Sequence, residues 1–304
     1  MQDPGIVNRP FLLGTRGSAL ALAQVELVRK ALLAVDRDLK IEVKKITTSG
    51  DHRSDFSDAC LSGAGVKGLF TKEIEQALLD GTIDAAVHSC KDLPGHLAEG
   101  LEVRAVLERA NTADVLITKT PRTFSGLPQG AHIATSSVRR RRQLLWLRPD
   151  LVIEEMRGNV PTRINKLGLS NTLEGIVLAK AGLDRLGLSR EGLHMDILPT
   201  LPAIGQGAIA LECRSSDKVT AALLAPINHG PTLCCIRAER ELLRLLNGDC
   251  HLPVGVGTRL EGAKLFMQAI IFGAEGEPPL TASASGPADA PEELASNLFN
   301  HIQP

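Results

Sequence analysis

Two short stretches of the chain combine residue types that bind anions. Leu13-Gly14-Thr15-Arg16-Gly17-Ser18 and Ile133-Ala134-Thr135-Ser136-Ser137-Val138-Arg139-Arg140 each follow an apolar, strand-like run and open an amphipathic, helix-like one. A helix N-terminus offers unpaired backbone N–H groups and a partial positive charge. Hydroxyls and guanidinium groups at that junction strengthen an anion site. The recurrence of this design a domain's length further on suggests two lobes facing a polyanionic ligand.

Further cations recur at turns. Arg157-Gly158-Asn159-Val160-Pro161-Thr162-Arg163 sits between a strand-like and a helix-like run, and Arg185 lies in Ala181-Gly182-Leu183-Asp184-Arg185-Leu186-Gly187. Arginine's planar fork bonds both oxygens of a carboxylate. One such arginine is more often solvated surface. Four clusters beside strand ends reverse that weighting, because ligands of α/β sheets bind at those ends. The run Arg139-Arg140-Arg141-Arg142 also invites a nucleic-acid reading or a plain solvated helix start.

Two other motifs carry chemistry. In His88-Ser89-Cys90-Lys91-Asp92-Leu93-Pro94 a carboxylate beside a cation could stabilise positive charge and move protons. Taken alone, the dipeptide reads better as a structural ion pair. In Asn247-Gly248-Asp249-Cys250-His251-Leu252-Pro253 the cysteine sits in a glycine-containing loop, where its reactivity depends on thiolate character. Adjacent Cys250 and His251 make poor zinc geometry and a weak nucleophile–base pair, so no metal site is expected.

The elements that position these residues follow from periodicity. Strands are expected at residues 11–14, 41–47, 83–88, 103–107 and 115–118, and helices at 18–35 and 71–79, the latter with Thr71 as N-cap. Residues 49–65 read as a long polar loop. Strand and helix then alternate through residues 132–135, 138–147, 151–155, 161–167, 175–179 and 183–188, the pattern of a mostly parallel sheet. A strand at 208–213 and a strong helix at 232–246 follow. Residues 254–260, 264–272 and 280–285 resemble a strand meander, closed by a helix at 292–302.

Composition bounds the function. At 304 residues the chain has room for two or three domains, and 43% hydrophobic residues can fill their cores. Lys and Arg number 34 against 35 Asp and Glu, a net charge of −1, and aromatics are only 3%. That balance argues against broad nucleic-acid or membrane-surface binding. Six cysteines without a Cys-x-x-Cys pair, no signal-like start and no long apolar run point to a reduced, soluble compartment. The cytoplasm is expected, with an organelle stroma left open. Nothing in the sequence demands an oligomer, and a monomer is expected.

Taken together, the motifs resemble the porphobilinogen deaminase (hydroxymethylbilane synthase) family. The likeness runs through Thr15-Arg16-Gly17-Ser18, Lys67-Gly68-Leu69-Phe70, Val87 to Pro94, Thr135 to Arg140, Arg157-Gly158-Asn159-Val160, Leu201-Pro202-Ala203-Ile204-Gly205-Gln206-Gly207-Ala208 and Gly248 to Pro253. The resemblance implies an α/β fold of two periplasmic-binding-protein-like lobes plus a small C-terminal α+β domain. Its bounds would be residues 1–108 with 208–226, 109–207, and 227–304.

The implied activity joins four porphobilinogen molecules head to tail, releasing ammonia and then hydroxymethylbilane. It runs on a covalent dipyrromethane primer. By resemblance, Cys250 holds that primer through a thioether and Asp92 is the catalytic carboxylate. Lys91, Ser18, Thr135, Ser137, Arg139 and Arg140 hold its carboxylates. Arg16, Arg157, Arg163 and Arg185 bind incoming substrate or the growing chain, and Gln24 and Gln206 line the site. Departures are a longer segment at 51–66, Pro161 beside Arg163, and the extension of the basic run by Arg141 and Arg142. Two rivals remain: a carboxylate-binding protein without chemistry, which leaves Lys91-Asp92 and Cys250 unexplained, and a nucleic-acid module using residues 139–142.

Overall fold

A computed structural model describes residues 9–49, 71–188, 193–247 and 252–302. The chain forms two compact units, Met1–Arg109 with Ala208–Leu233, and Ala110–Gly207 with Cys234–Pro304. In chain order the first unit begins with β1 (Phe11–Thr15), α1 (Ala19–Val35), β2 (Ile41–Lys45), α2 (Lys72–Leu79), β3 (Ala85–Ser89) and β4 (Leu101–Val106). The second contributes β5 (Asp114–Thr118), β6 (His132–Ala134), α3 (Val138–Leu147), β7 (Val152–Glu154), α4 (Val160–Leu169), β8 (Gly175–Ala179), α5 (Lys180–Arg185) and β9 (His194–Ile197). The chain returns for β10 (Ile209–Arg214) and α6 (Lys218–Leu224). Then α7 (Gly230–Leu245) leads into β11 (Val254–Glu261), β12 (Lys264–Ile271), β13 (Leu280–Pro287) and α8 (Pro291–Ile302).

The first sheet has the order β2-β1-β3-β10-β4. Strand β1 is parallel to β2 and β3, whereas β10 runs antiparallel to β3 and β4. Alternate residues of β1 face opposite ways. Phe11 and Leu13 pack with Val25, Val28 and Leu32, one face of α1, and with Leu211 and Cys213 of β10. Leu12 packs on the other face with Ile74 and Leu78 of α2.

The second sheet repeats this plan as β7-β6-β8-β5-β9. Strand β6 is parallel to β7 and β8, and β5 runs against β8 and β9. Each sheet is therefore mostly parallel, as the alternation of elements implies, with one reversed strand in the fourth place. The third sheet is the expected antiparallel meander β11-β12-β13. Leu265, Met267 and Ala269 of β12 meet Ala238 and Leu242 of α7 and Leu294 and Leu298 of α8 in its core. The architecture is two α/β lobes and a small α+β domain. Among the described residues, no single helix is long and apolar enough to cross a membrane.

Three details differ from expectation. Strand β9 and helix α6 are short and carry no clear period. Thr71 occupies the N-cap position of α2 but its hydroxyl caps nothing. Capping needs an extended backbone at that residue. Thr71 has φ −121° and ψ −30°, and its side chain is buried.

Candidate functional site

In the first unit the site residues gather where β1 and β3 end. These strands are parallel neighbours, so the residues that follow them emerge at one edge of the sheet. Thr15 closes β1, fully buried, and its Oγ1 donates to the Val87 carbonyl at 3.3 Å. Arg16 follows, half-buried. Ser18 caps α1, its Oγ accepting from the Ala21 N–H at 3.2 Å. That bond occupies one of the orphan donors of the helix start. Gln24, one turn on and buried, places its amide Nε2 2.9 Å from Ser89 Oγ, tying α1 to the end of β3.

Residues Cys90–Asp92 form a single 3₁₀ turn directly after β3. The Cys90 N–H donates to the Ala208 carbonyl at 3.0 Å and the Leu93 N–H to the Cys90 carbonyl at 3.2 Å, so the turn is held at both ends. Cys90 points inward and is buried, while Lys91 and Asp92 are half-buried at the sheet edge. Beneath lies a buried polar group: His88 Nε2 is 3.1 Å from Glu212 Oε2 of β10. Burial and the nearby Glu212 charge raise the pKa of Glu75 on α2.

In the second unit the same edge is richer in cations. Thr135 follows β6, buried, and its Oγ1 accepts from the Ser137 N–H at 3.2 Å. Ser137 caps α3, accepting from the Arg140 N–H at 3.4 Å. Arg139 and Arg140 then turn into the protein and converge on Asp114, whose side chain is fully buried. Arg139 Nη1 and Nη2 donate to its two oxygens at 2.6 and 3.2 Å. Arg140 Nε and Nη2 donate to Oδ1 at 3.0 and 2.8 Å. Gln206 Nε2 at 2.9 Å and Thr200 Oγ1 at 3.2 Å complete the set. Burial by itself would raise the Asp114 pKa. The Arg140 and Arg139 charges and the hydrogen bonds from Arg139 and Gln206 outweigh it and hold the carboxyl well below the usual range.

The other arginines sit at neighbouring strand ends of the same sheet. Arg157 follows β7 and pairs with Glu155. Asn159 caps α4, accepting from the Thr162 N–H at 2.9 Å. Arg163 Nε donates to the Gly158 carbonyl at 2.7 Å. Burial, helped by the charge of Arg140, pushes the Arg163 pKa down to about 10. Arg185, at the end of α5, donates to the Gly207 carbonyl at 2.7 Å, and burial lowers its pKa as well.

Asp114 was not among the residues singled out by sequence. Its signal is a charged residue opening the otherwise apolar run Asp114-Val115-Leu116-Ile117-Thr118, all of it buried. It joins the cations because β5 is the reversed strand: Asp114 is paired with Ala179 at the end of β8.

The segment from Thr200 to Gly207 is pinned on several sides within this unit. The Leu201 carbonyl accepts from Arg139 Nη1 at 2.7 Å and Gln143 Nε2 at 2.9 Å. The Gly205 N–H donates to buried Glu239 of α7 at 2.7 Å, and Thr258 of β11 bonds the same carboxylate. The Val256 N–H donates to the Pro202 carbonyl at 2.8 Å. Gly255 makes this approach possible, since a Cβ there would lie 2.8 Å from Leu201 Cβ and 2.9 Å from its carbonyl oxygen. Two residues beyond the end of α7, Asn247 lies in the left-handed region, φ 47°. Cys250 and the 51–66 segment lie outside the described residues.

Fixed guanidinium groups stand at the strand ends of one sheet and a lysine–aspartate turn at the strand end of another, and arginine forks of this kind match carboxylates. The family models for "porphobilinogen deaminase, dipyromethane cofactor binding domain" and "porphobilinogen deaminase, C-terminal domain" match residues 11–222 and 233–303. Porphobilinogen deaminase of Desulforudis audaxviator is 44% identical over 293 residues, covering 96% of this chain and 94% of that one. That of Syntrophomonas wolfei is 46% identical over 298 residues, covering 96% and 95%. The chain belongs to the porphobilinogen deaminase family. Among solved structures, the periplasmic VFT2 domain of Bordetella pertussis BvgS is similar over 72% of this chain and 86% of its own, at 13% identity and a TM-score of 0.43. An ancestral cationic amino acid solute binding protein is similar over 73% and 88%, at 11% identity and 0.44.

Proposed function

We infer that this chain is a hydroxymethylbilane synthase, condensing four porphobilinogen molecules head to tail with loss of ammonia. One observation carries the match to chemistry: buried Arg139 and Arg140 share Asp114, the one carboxylate paired with them among the described residues, and half-buried Arg163 feels the charge of Arg140. A net positive charge away from water is stable only when an anion joins it. Arg139 Nε is buried without a hydrogen-bond partner among the described residues, a donor left for such an anion. Each pyrrole of the substrate carries an acetate and a propionate, so several fixed guanidinia suit a growing polycarboxylate.

The residues present fit the dipyrromethane cofactor. Lys91, Ser18, Thr135, Ser137, Arg139 and Arg140 would hold its carboxylates, with Cys250 as the thioether anchor. When bound, the group supplies the terminal pyrrole carbon that attacks the substrate. Arg16, Arg157, Arg163 and Arg185 bind substrate carboxylates, and Gln24 and Gln206 orient neighbouring side chains. Asp92, fixed by its turn, places a carboxylate where loss of ammonia leaves a cation, and preorganised charge of this kind lowers the barrier. The same carboxyl can carry a proton to the leaving amine.

The protein is proposed to act as a cytoplasmic monomer, without nucleic-acid or membrane partners; the near-zero net charge supports the absence of those two partners. The deciding experiment is the mass of the denatured protein. The expected result is an increment of two pyrrole units, absent in Cys250→Ala; an unmodified mass in matured wild-type protein would defeat the reading.

A further inference from the structure

We propose that Asp114 is a positioning residue for the anion site: it turns Arg139 and Arg140 from two mutually repelling buried cations into one preorganised clamp. This rests on the reading that the chain carries a covalent dipyrrole. The argument begins with saturation. Asp114 Oδ1 accepts from Arg139 Nη2, Arg140 Nε, Arg140 Nη2 and Gln206 Nε2, and Oδ2 from Arg139 Nη1 and Thr200 Oγ1. A carboxylate so occupied has no capacity left for solvent or ligand. Its task is orientation. Bidentate forks fix both the distance and the plane of a guanidinium.

The orientation is defined from outside the pair as well. Arg140 Nη1 donates to the Val177 carbonyl at 2.9 Å and Arg139 Nη1 to the Leu201 carbonyl at 2.7 Å. Gln206 Nε2 is shared between Asp114 and the Thr112 carbonyl, at 2.9 and 2.7 Å. Each guanidinium thus has its plane set by Asp114 and one backbone carbonyl. Of the five N–H groups on each guanidinium, Asp114 and the carbonyls occupy three, and what remains includes Arg139 Nε, buried and unpartnered among the described residues. Asp114 therefore decides which donors remain for a carboxylate and where they point.

Asp84 supplies an internal comparison. It is equally buried, and its partners are Arg9, through both oxygens at 2.7 and 2.8 Å, the Leu12 N–H at 2.9 Å and Arg214 at 3.7 Å. Asp114→Asn and Asp84→Asn both take a buried carboxylate away from arginine, although Arg9 itself is half exposed, so both should lower the melting temperature. Only Asp114→Asn should lower the fraction of chains carrying the two-pyrrole mass increment, by about tenfold, as misplaced binding groups do. Asp84→Asn should load like wild type. Equal loading of folded Asp114→Asn and wild type would overturn the proposal.

If Asp114→Asn does not fold, the comparison is Asp114→Glu, which keeps the carboxylate charge but moves its oxygens by one methylene. Folded Asp114→Glu should load well below wild type, and equal loading overturns the proposal. A wild-type chain without the increment would instead defeat the functional reading, so the two failures are distinct.

Discussion

Asp92 and Glu75 show what one charge does in two settings. Asp92 sits half-buried in a turn held by backbone bonds at Cys90 and Leu93, so its side chain contributes little to folding. Asp92→Asn should keep the fold and the two-pyrrole mass while turnover falls about 10²- to 10³-fold, the usual cost of removing one preorganised charge. Near-normal turnover would remove Asp92 from the mechanism. Glu75 is the opposite case. Burial and the Glu212 charge raise its pKa above the ordinary value of 4.5. Protonated Glu75 suits the fold, and that advantage is lost as pH rises through the raised value. Glu75→Gln should therefore raise the melting temperature at about pH 8 and leave it nearly unchanged at about pH 4. At this scale the sequence revealed the arginines and hydroxyls through their recurrence beside strand ends. It hid Asp114, whose partners lie 25 and more residues away and meet it only through strand reversal.

Helices deliver the site residues, and their caps set the first turn. Ser137 both caps α3 and begins the helix on which Arg139 and Arg140 ride. Ser137→Ala should cost about 1 kcal/mol of stability, read from a denaturant titration. Because both arginines are independently bonded to Asp114, the α3 start should stay in place. Cys213 of β10 is fully buried, and burial pushes its thiol pKa up to about 11. It should resist alkylation until the first sheet unfolds, which mass spectrometry after a brief iodoacetamide pulse can follow. Long periodic elements such as α1, α7 and the meander are legible because one face of each is apolar over many residues. Strand β9, four residues with a half-buried pattern, and α6, seven residues long, are too short to display a period. Their burial comes from neighbours distant in sequence.

Across the whole molecule, the chain crosses between units at residues 109–110, 207–208 and 233–234. Gly207 stands at the second crossing with φ 85°, and a Cβ there would come 2.5 Å from the Ala110 carbonyl oxygen. Gly207→Ala should lose about 1–3 kcal/mol through strain at this point, measurable as a lower denaturant midpoint. The sequence showed two lobes by the repetition of their junctions. It could not show that each sheet contains a reversed strand, or that the first borrows its own, β10, from beyond the second, since strand direction leaves no trace in hydrophobic period.

That borrowed strand has a consequence for synthesis. The second sheet uses only β5 to β9, a continuous stretch, whereas the first needs β10, which the ribosome makes after the second sheet is finished. Strand β3 ends at Ser89 and its partner β10 begins at Ile209. At about 5–20 residues per second, β3 waits roughly 6–24 s with an unpaired edge. The lobe translated first is therefore the lobe completed second, and a nascent chain stalled near residue 235, with β9 outside the ribosome and β10 still inside it, should protect its later lobe from protease before its earlier one.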